Sequence, residues 1–157
     1  MPDKLGRLMS EFSAQIRRYR NQEYARQGVI EGMSERDLAI LDMVFKKGQA
    51  TFAEISHELH NANVPKSSAS SISQAISALY ADRGFVDKRP NPKDQRQPII
   101  TLTEKGRVVV EKLHQARIRF LTVAREAMQL SNSESEIMER AFSRGIEYMK
   151  KNFSQEE

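Results

Sequence analysis

Apolar residues recur at three- and four-residue steps through most of the chain, the period of helices with one buried face. Over residues 3–26, Leu5, Leu8, Met9, Phe12, Ile16 and Tyr19 form such a stripe, and the stretch 28–33 breaks it as a connection. Ser34, with Asp37 three residues on, opens a second helix that buries Leu38, Leu41, Val44 and Phe45 and ends at Gly48. Thr51 and Glu54 form another capping box ahead of Phe52, Ile55 and Leu59, in a short helix that stops near His60. Residues 60–68, rich in Asn, Pro and Ser, read as a turn. A fourth helix is predicted from about Ser67 to Ala81. Steps of 100° put Ala69, Ile72, Ile76, Leu79 and Tyr80 on one side, and Ser67, Ser70, Ser71, Gln74 and Ala78 on the other.

The period then changes. Phe85–Arg89 and Ile99–Leu102 are short and β-prone, and they bracket a loop containing Pro90, Pro92 and Pro98. Proline forbids helix there and favours an exposed hairpin tip. Thr103 caps a long helix with Val109, Leu113, Ala116, Phe120 and Val123 on one face, running to about Gln129. Ser131 and Ser133, paired with Glu134 and Glu136, are alternative caps for a last helix with Ile137, Ala141, Phe142, Ile146 and Met149. A polar tail follows.

The predicted fold is mainly α, with a small β wing: a winged helix-turn-helix core over 34–102, preceded by a helix and connection (1–33) and followed by two helices (103–157). The flanking stripes exceed what so small a core can cover. A two-fold homodimer with interdigitated terminal helices would bury them; an intramolecular helical layer is the alternative.

Charge sharpens the picture. The chain carries 25 Lys+Arg against 21 Asp+Glu, a formal +4, and residues 66–107 alone hold eight basic against four acidic residues. The whole net charge therefore sits on the fourth helix and the hairpin, where it would attract a phosphate polymer or make a solvated basic loop. With no cysteine, disulfides, thiolate zinc sites and thiol chemistry are excluded. No stretch has the length of a membrane span, and the charged N-terminus is unlike a signal peptide, so a cytoplasmic location is expected. There is no phosphate-binding glycine loop and no nucleophile elbow. Neither an enzyme nor a cofactor is expected. His57 and His60 form HExH rather than the zincin HExxH, so a regulatory zinc site from Glu54, His57, His60 or His114 is a minor candidate.

In a winged helix-turn-helix the last core helix enters a major groove and the wing reaches the backbone or minor groove. Groove-facing residues are then small or hydrogen-bonding. Ser67, Ser70, Ser71 and Gln74 qualify, since Gln can bond adenine at two points and Ser reads donors or acceptors. Lys66, Lys88, Arg89, Lys93 and Arg96 would meet phosphates, and Asp94, two residues from Arg96, could hold its guanidinium in one rotamer.

Asp94-Gln95-Arg96 followed by Leu102-Thr103-Glu104-Lys105-Gly106 resembles the D-x-R-x5-L-T-x-x-G wing signature of the MarR family of bacterial transcription regulators. The stretch Leu79–Val86 is similar to that family's passage from helix into wing, and helix order agrees across the chain. The resemblance implies that Asp94 and Arg96 belong to a DNA-binding wing. It also implies a small-molecule effector pocket where the dimer helices meet the core, with Phe12, Ile16, Tyr19, Met43, Phe45 and Phe120 as candidate lining. The reading is a homodimeric repressor of a pseudo-palindromic operator in double-stranded DNA. Two others remain open. The long turn between Leu59 and Ile72 and the arginine-free helix face suit a protein-interaction module such as an antirepressor, and the basic segment suits a sequence-neutral DNA-binding protein.

Overall fold

In the computed structural model, residues 3–28, 32–62 and 64–153 are described. The middle of the expected connection, residue 63 of the expected turn and the tail beyond 153 lie outside them. The elements run α1 (Lys4–Arg26), α2 (Glu35–Lys47), β1 (Ala50–Thr51), α3 (Phe52–Asn61), α4 (Ala69–Ala81), β2 (Val86–Arg89), β3 (Ile99–Leu102), α5 (Glu104–Met128) and α6 (Asn132–Phe153). This is the expected mainly helical fold with a wing. The hairpin β2–β3 is antiparallel, with Val86 opposite Leu102 and Arg89 opposite Ile99. A third strand, β1, joins the outer side of β3 through Ala50 and Thr51, giving the order β1-β3-β2. Two residues are too few to show a period of two, so β1 carries no sequence signal.

The helix starts follow from local hydrogen bonds. The Asp37 N–H donates to the Ser34 hydroxyl (3.2 Å) while the Ser34 N–H donates to the Asp37 carboxylate (2.8 Å). Thr51 and Glu54 make the same reciprocal pair at 3.3 and 2.7 Å, and the bonds from Thr51 pull the Glu54 carboxyl below its usual range. Each box satisfies two N–H groups that the first helical turn would otherwise leave open. Gly48 ends α2 at φ +79°, a conformation that a side chain would oppose. Of the alternative caps for α6, Ser131 and Glu134 form the pair, at 2.8 and 3.4 Å.

The chain packs as two compact units, Met1–Arg117 and Ile118–Glu157, the division falling inside α5. The first unit holds the core: Ile40, Leu41 and Val44 of α2, Ile55 of α3, Ile72 and Leu79 of α4, Val86 and Ile100 of the sheet, and Val110 and Leu113 of α5 are almost wholly buried. Each contributes about 1.5–3 kcal/mol relative to exposure. At the other extreme, Leu5, Leu8 and Met9 of α1 are more than half exposed. In the second unit Ile118, Leu121, Ile137, Phe142 and Met149 are too.

One buried charge organises the first unit. Asp42, on the core side of α2, is 7% exposed and accepts from His114 Nε2 (2.6 Å), Arg117 Nη1 (2.8 Å) and Lys46 Nζ (2.9 Å). Burial alone would push its carboxyl up; the bonds from His114, Arg117 and Lys46 outweigh burial and hold it well below the usual carboxylate range. Phe45 meets the His114 ring edge-on, with centroids 5.2 Å apart. Asp42 thereby fastens α5 to α2 by charge, and apolar residues of both helices belong to the same core cluster.

A corner ties the end of α4 to the wing and to α5. The Phe85 N–H donates to Leu79 O (2.8 Å), and Phe85 O accepts from the Thr103 N–H (3.0 Å). The Thr103 hydroxyl donates to Gly84 O (2.7 Å) and accepts from the Gly106 N–H (3.1 Å). Gly106 lies so close that a Cβ there would overlap the Phe85 carbonyl oxygen.

Gly106→Ala is expected to lower the unfolding free energy by about 1–3 kcal/mol, the usual cost of overpacking, in urea denaturation; Gly145, which faces open space on α6, is the control site where alanine is neutral or stabilising. Because its folded pKa is depressed, Asp42 contributes stability that is complete above its unfolded pKa of about 4 and is lost as pH falls through the folded value. Asp42→Asn should cost about 1–3 kcal/mol at pH 7 and flatten the acid limb of a pH–stability series. An equally steep limb would place the acid sensitivity elsewhere.

Candidate nucleic-acid interface

Helix α4 begins two residues later than its sequence suggests. Ser68, not Ser67, is the N-cap, accepting from the Ser71 N–H (3.3 Å) and donating to the Ser71 hydroxyl (2.8 Å). Ser67 stands outside the helix, its hydroxyl bonded to the Val64 carbonyl. Lys66, at φ +59°, makes the preceding bend, and its carbonyl accepts from Arg36 Nη1 of α2 (3.3 Å). The long turn is thus closed by one of its own side chains, Ser67, and by one from α2, Arg36.

Around α4 the buried arc comprises Ile72, Ala75, Ile76 and Leu79. The expected stripe lacked Ala75 and included Ala69 and Tyr80, both of which are exposed. At 100° per residue Tyr80 lies about 90° from the centre of the arc, which puts it on the margin. The solvent face carries Ser70, Ser73, Gln74 and Ser77, while Ser71 is half-buried in the cap. Of the expected groove residues, Ser70 and Gln74 lie on this face; Ser67 and Ser71 are occupied in shaping its start. Ser73 and Ser77 were missed, although one turn from Ser70 and Gln74 they complete the same face.

The hairpin is shorter and its loop more ordered than three prolines suggest. Pairing ends at Arg89 and Ile99. In the loop the buried Asn91 accepts from the Lys93 N–H (3.0 Å), and Asp94 Oδ1 accepts from the Arg96 N–H (3.0 Å). Asp94 therefore holds the Arg96 backbone, not its guanidinium, because both residues sit in the turn rather than side by side on a strand. Lys88, Arg89, Lys93 and Arg96 are exposed. Among the described residues none of these four forms an ion pair with a carboxylate. The protein thus offers a polar, uncharged face on α4 and, on β2 and the wing loop, cations that no carboxylate among the described residues neutralises.

The other candidates fall elsewhere. Phe12 is 37% exposed on α1, with Ile16 and Tyr19 partly buried further along that helix. Met43 and Phe45 of α2 pack against the core, and Phe120 belongs to the second unit. A cleft of about 470 Å³ between β1, the start of α3 and the wing loop involves none of them. His57 is bonded to Asn61 (3.0 Å) and His114 to Asp42 (2.6 Å). Among the described residues no group of three or more His, Asp or Glu is arranged to hold a metal. No helix among them is long and apolar enough to cross a membrane.

Three helices, a hairpin and flanking helices in this arrangement define a winged helix-turn-helix. Residues 30–113 match the family model described as transcriptional regulator SarA/Rot. The chain belongs to this family of transcriptional regulators, which is not one of enzymes. Among curated proteins it is 37% identical over 71 residues to an uncharacterized HTH-type transcriptional regulator of Mycobacterium bovis, covering 45% of this chain and 48% of that protein. An uncharacterized HTH-type transcriptional regulator of Mycobacterium leprae is 32% identical over 71 residues, covering 45% of this chain and 48% of that protein. The chain spans about half the length of the curated relatives it matches.

Among solved structures, a mutant of MarR from E. coli superposes with a TM-score of 0.66 at 19% identity, covering 93% of this chain and 98% of that one. The same mutant complexed with operator DNA gives 0.64 at 20%, covering 90% and 93%. BpsR of Bordetella bronchiseptica gives 0.64 at 14%, covering 92% and 94%. The MarR-like fold expected from the wing signature is borne out.

Proposed function

We propose that this chain is a homodimeric, sequence-specific DNA-binding regulator that represses from a pseudo-palindromic operator. The observation that carries the reading is the pairing of an uncharged hydrogen-bonding face on α4 with an unneutralised basic wing. Bases are read at close range by small polar groups, while phosphates are met by cations. In this reading α4 lies in a major groove with Gln74 and Ser70 toward base edges, and Ser73 and Ser77 beside them. Lys66 flanks the groove, and Lys88, Arg89, Lys93 and Arg96 meet the backbone or minor groove, Asp94 fixing the turn. That a MarR structure holds operator DNA shows what this fold accommodates.

The homodimer is supported by the exposed stripes of α1, α5 and α6, which water would otherwise cover at a cost of about 25 cal/mol per Å². Segments 1–33 and 103–157 serve it, and 34–102 is the DNA-binding core. Two copies would place their α4 helices in successive major grooves, ~34–36 Å apart. A small-molecule effector remains part of the reading, with Phe12, Ile16, Tyr19, Met43, Phe45 and Phe120 as its candidate contacts. In BpsR, which shares the fold, DNA binding is regulated by 6-hydroxynicotinic acid. A cytoplasmic location goes with this role. The absence of arginine from the α4 face favours a second reading, a protein-interaction module or a sequence-neutral DNA binder.

Arg96→Ala should weaken binding to every duplex and flatten the dependence of log K on log salt by about one unit per lost phosphate contact. Gln74→Ala should cost ~1–3 kcal/mol at selected sites only. Fluorescence anisotropy on selected and random duplexes at several salt concentrations separates the two. Equal losses for Gln74→Ala on both duplexes would support the sequence-neutral reading.

A further inference from the structure

Tyr80 is the one large apolar side chain of α4 that the core does not take: it is 46% exposed in the last turn, while Ile76 and Leu79 beside it are buried. The Lys88 ammonium of β2 stands over its ring, 5.1 Å from the centroid. Helix and strand are locked here by the bonds from Arg83 N–H to Ala78 O (3.1 Å) and from Phe85 N–H to Leu79 O (2.8 Å), with Gly84 at φ +63° between them. The ring and the ammonium therefore face each other across a rigid corner.

How a cation is held decides what it can still do. A carboxylate partner would cancel the charge of Lys88 and compete with a phosphate for it. A ring face attracts the ammonium through its quadrupole and restricts the flexible lysine stem, yet leaves the full positive charge. Among the described residues Lys88 has no carboxylate partner. Nearby, Lys105 is seated comparably, over the Phe85 ring at 5.2 Å, but its ammonium also donates to Arg83 O (2.9 Å) and is fixed to the fold. Among the described residues Lys88 has only the ring.

We propose that Tyr80 is a positioning residue that holds the Lys88 ammonium, unneutralised, at the junction of α4 and the wing for a phosphodiester of the DNA backbone. The proposal rests on the DNA-binding reading and adds a residue to it. Lys88 makes the contact; Tyr80 acts through Lys88 by limiting the entropy that the lysine would lose on meeting the phosphate.

The test is a double-substitution cycle on full-length protein, with a fluorescein-labelled mixed-sequence duplex of about thirty base pairs titrated at several salt concentrations. Tyr80→Leu should weaken binding about two- to fivefold, the scale of an exposed cation–π contact. Tyr80→Phe, which keeps the ring, should restore the wild-type value. In a Lys88→Ala background Tyr80→Leu should add nothing. In free protein, the Lys88 side-chain proton resonances should lie upfield of their ordinary position and return to it in Tyr80→Leu, a ring-current reading that needs no DNA. Undiminished loss for Tyr80→Leu in the Lys88→Ala background would overturn the proposal, as would a Tyr80→Phe as weak as Tyr80→Leu, which would make the hydroxyl the contact. If wild-type protein binds no duplex even at low salt, the DNA reading falls and takes the proposal with it. If it binds and the cycle shows no coupling, only the role of Tyr80 falls.

Discussion

The carbonyl of Phe85 lies where four segments converge, and the surface offered for recognition depends on it. It accepts from the first residue after the wing, Thr103, and it is pressed against Gly106 of α5, while the N–H of Phe85 closes the end of α4. The Thr103 hydroxyl uses both its donor and its acceptor there, on Gly84 and Gly106. A helix end, two strands and a helix start are thereby fixed in one place by backbone and hydroxyl groups alone. Arg83 extends the anchorage to the segment after α1 through Gly32 O (2.7 Å). With this corner rigid, the relative placement of the α4 face and the wing is set before any partner arrives, and little ordering entropy is left to be lost on binding.

Charge is handled differently in the interior and at the recognition side. Asp42 is buried and saturated by three cationic or imidazole donors, so it holds α5 on α2 without leaving an unpaired ion. At the wing tip Asp94 is turned inward to the Arg96 N–H, and the basic groups are left without carboxylates. Of those cations Lys88 and Arg89 stand on β2, and Lys93 and Arg96 on the loop that joins it to β3. A polyanion would then find charge that is localised and not already neutralised.

Much of this was legible in the sequence because it depends on neighbours close in the chain. Both capping boxes, Gly48, Thr103 and Gly106 behave as their local patterns require, and the two β-prone segments placed the hairpin within a residue. What escaped depended on contacts distant in sequence or on boundaries. The start of α4 moved because two adjacent serines can each cap, and only the bond from Ser67 to Val64 decides between them. Centring the apolar stripe on Ala69 and Tyr80 instead of Ala75 rotated the polar face, which hid Ser73 and Ser77 and left Tyr80 assigned to the core. Asp42 gave no signal, since its partners His114 and Arg117 lie more than seventy residues away. β1 exists only because β3 has an open edge beside it.

Sequence-specific recognition by α4 and its wing is tested most directly by letting the purified protein select fragments from sheared genomic DNA of its host at about 0.15 M salt. The expected result is enrichment of a shared inverted repeat whose half-sites are about one helical turn apart. Binding without any enriched sequence, or no binding at low salt, would contradict it.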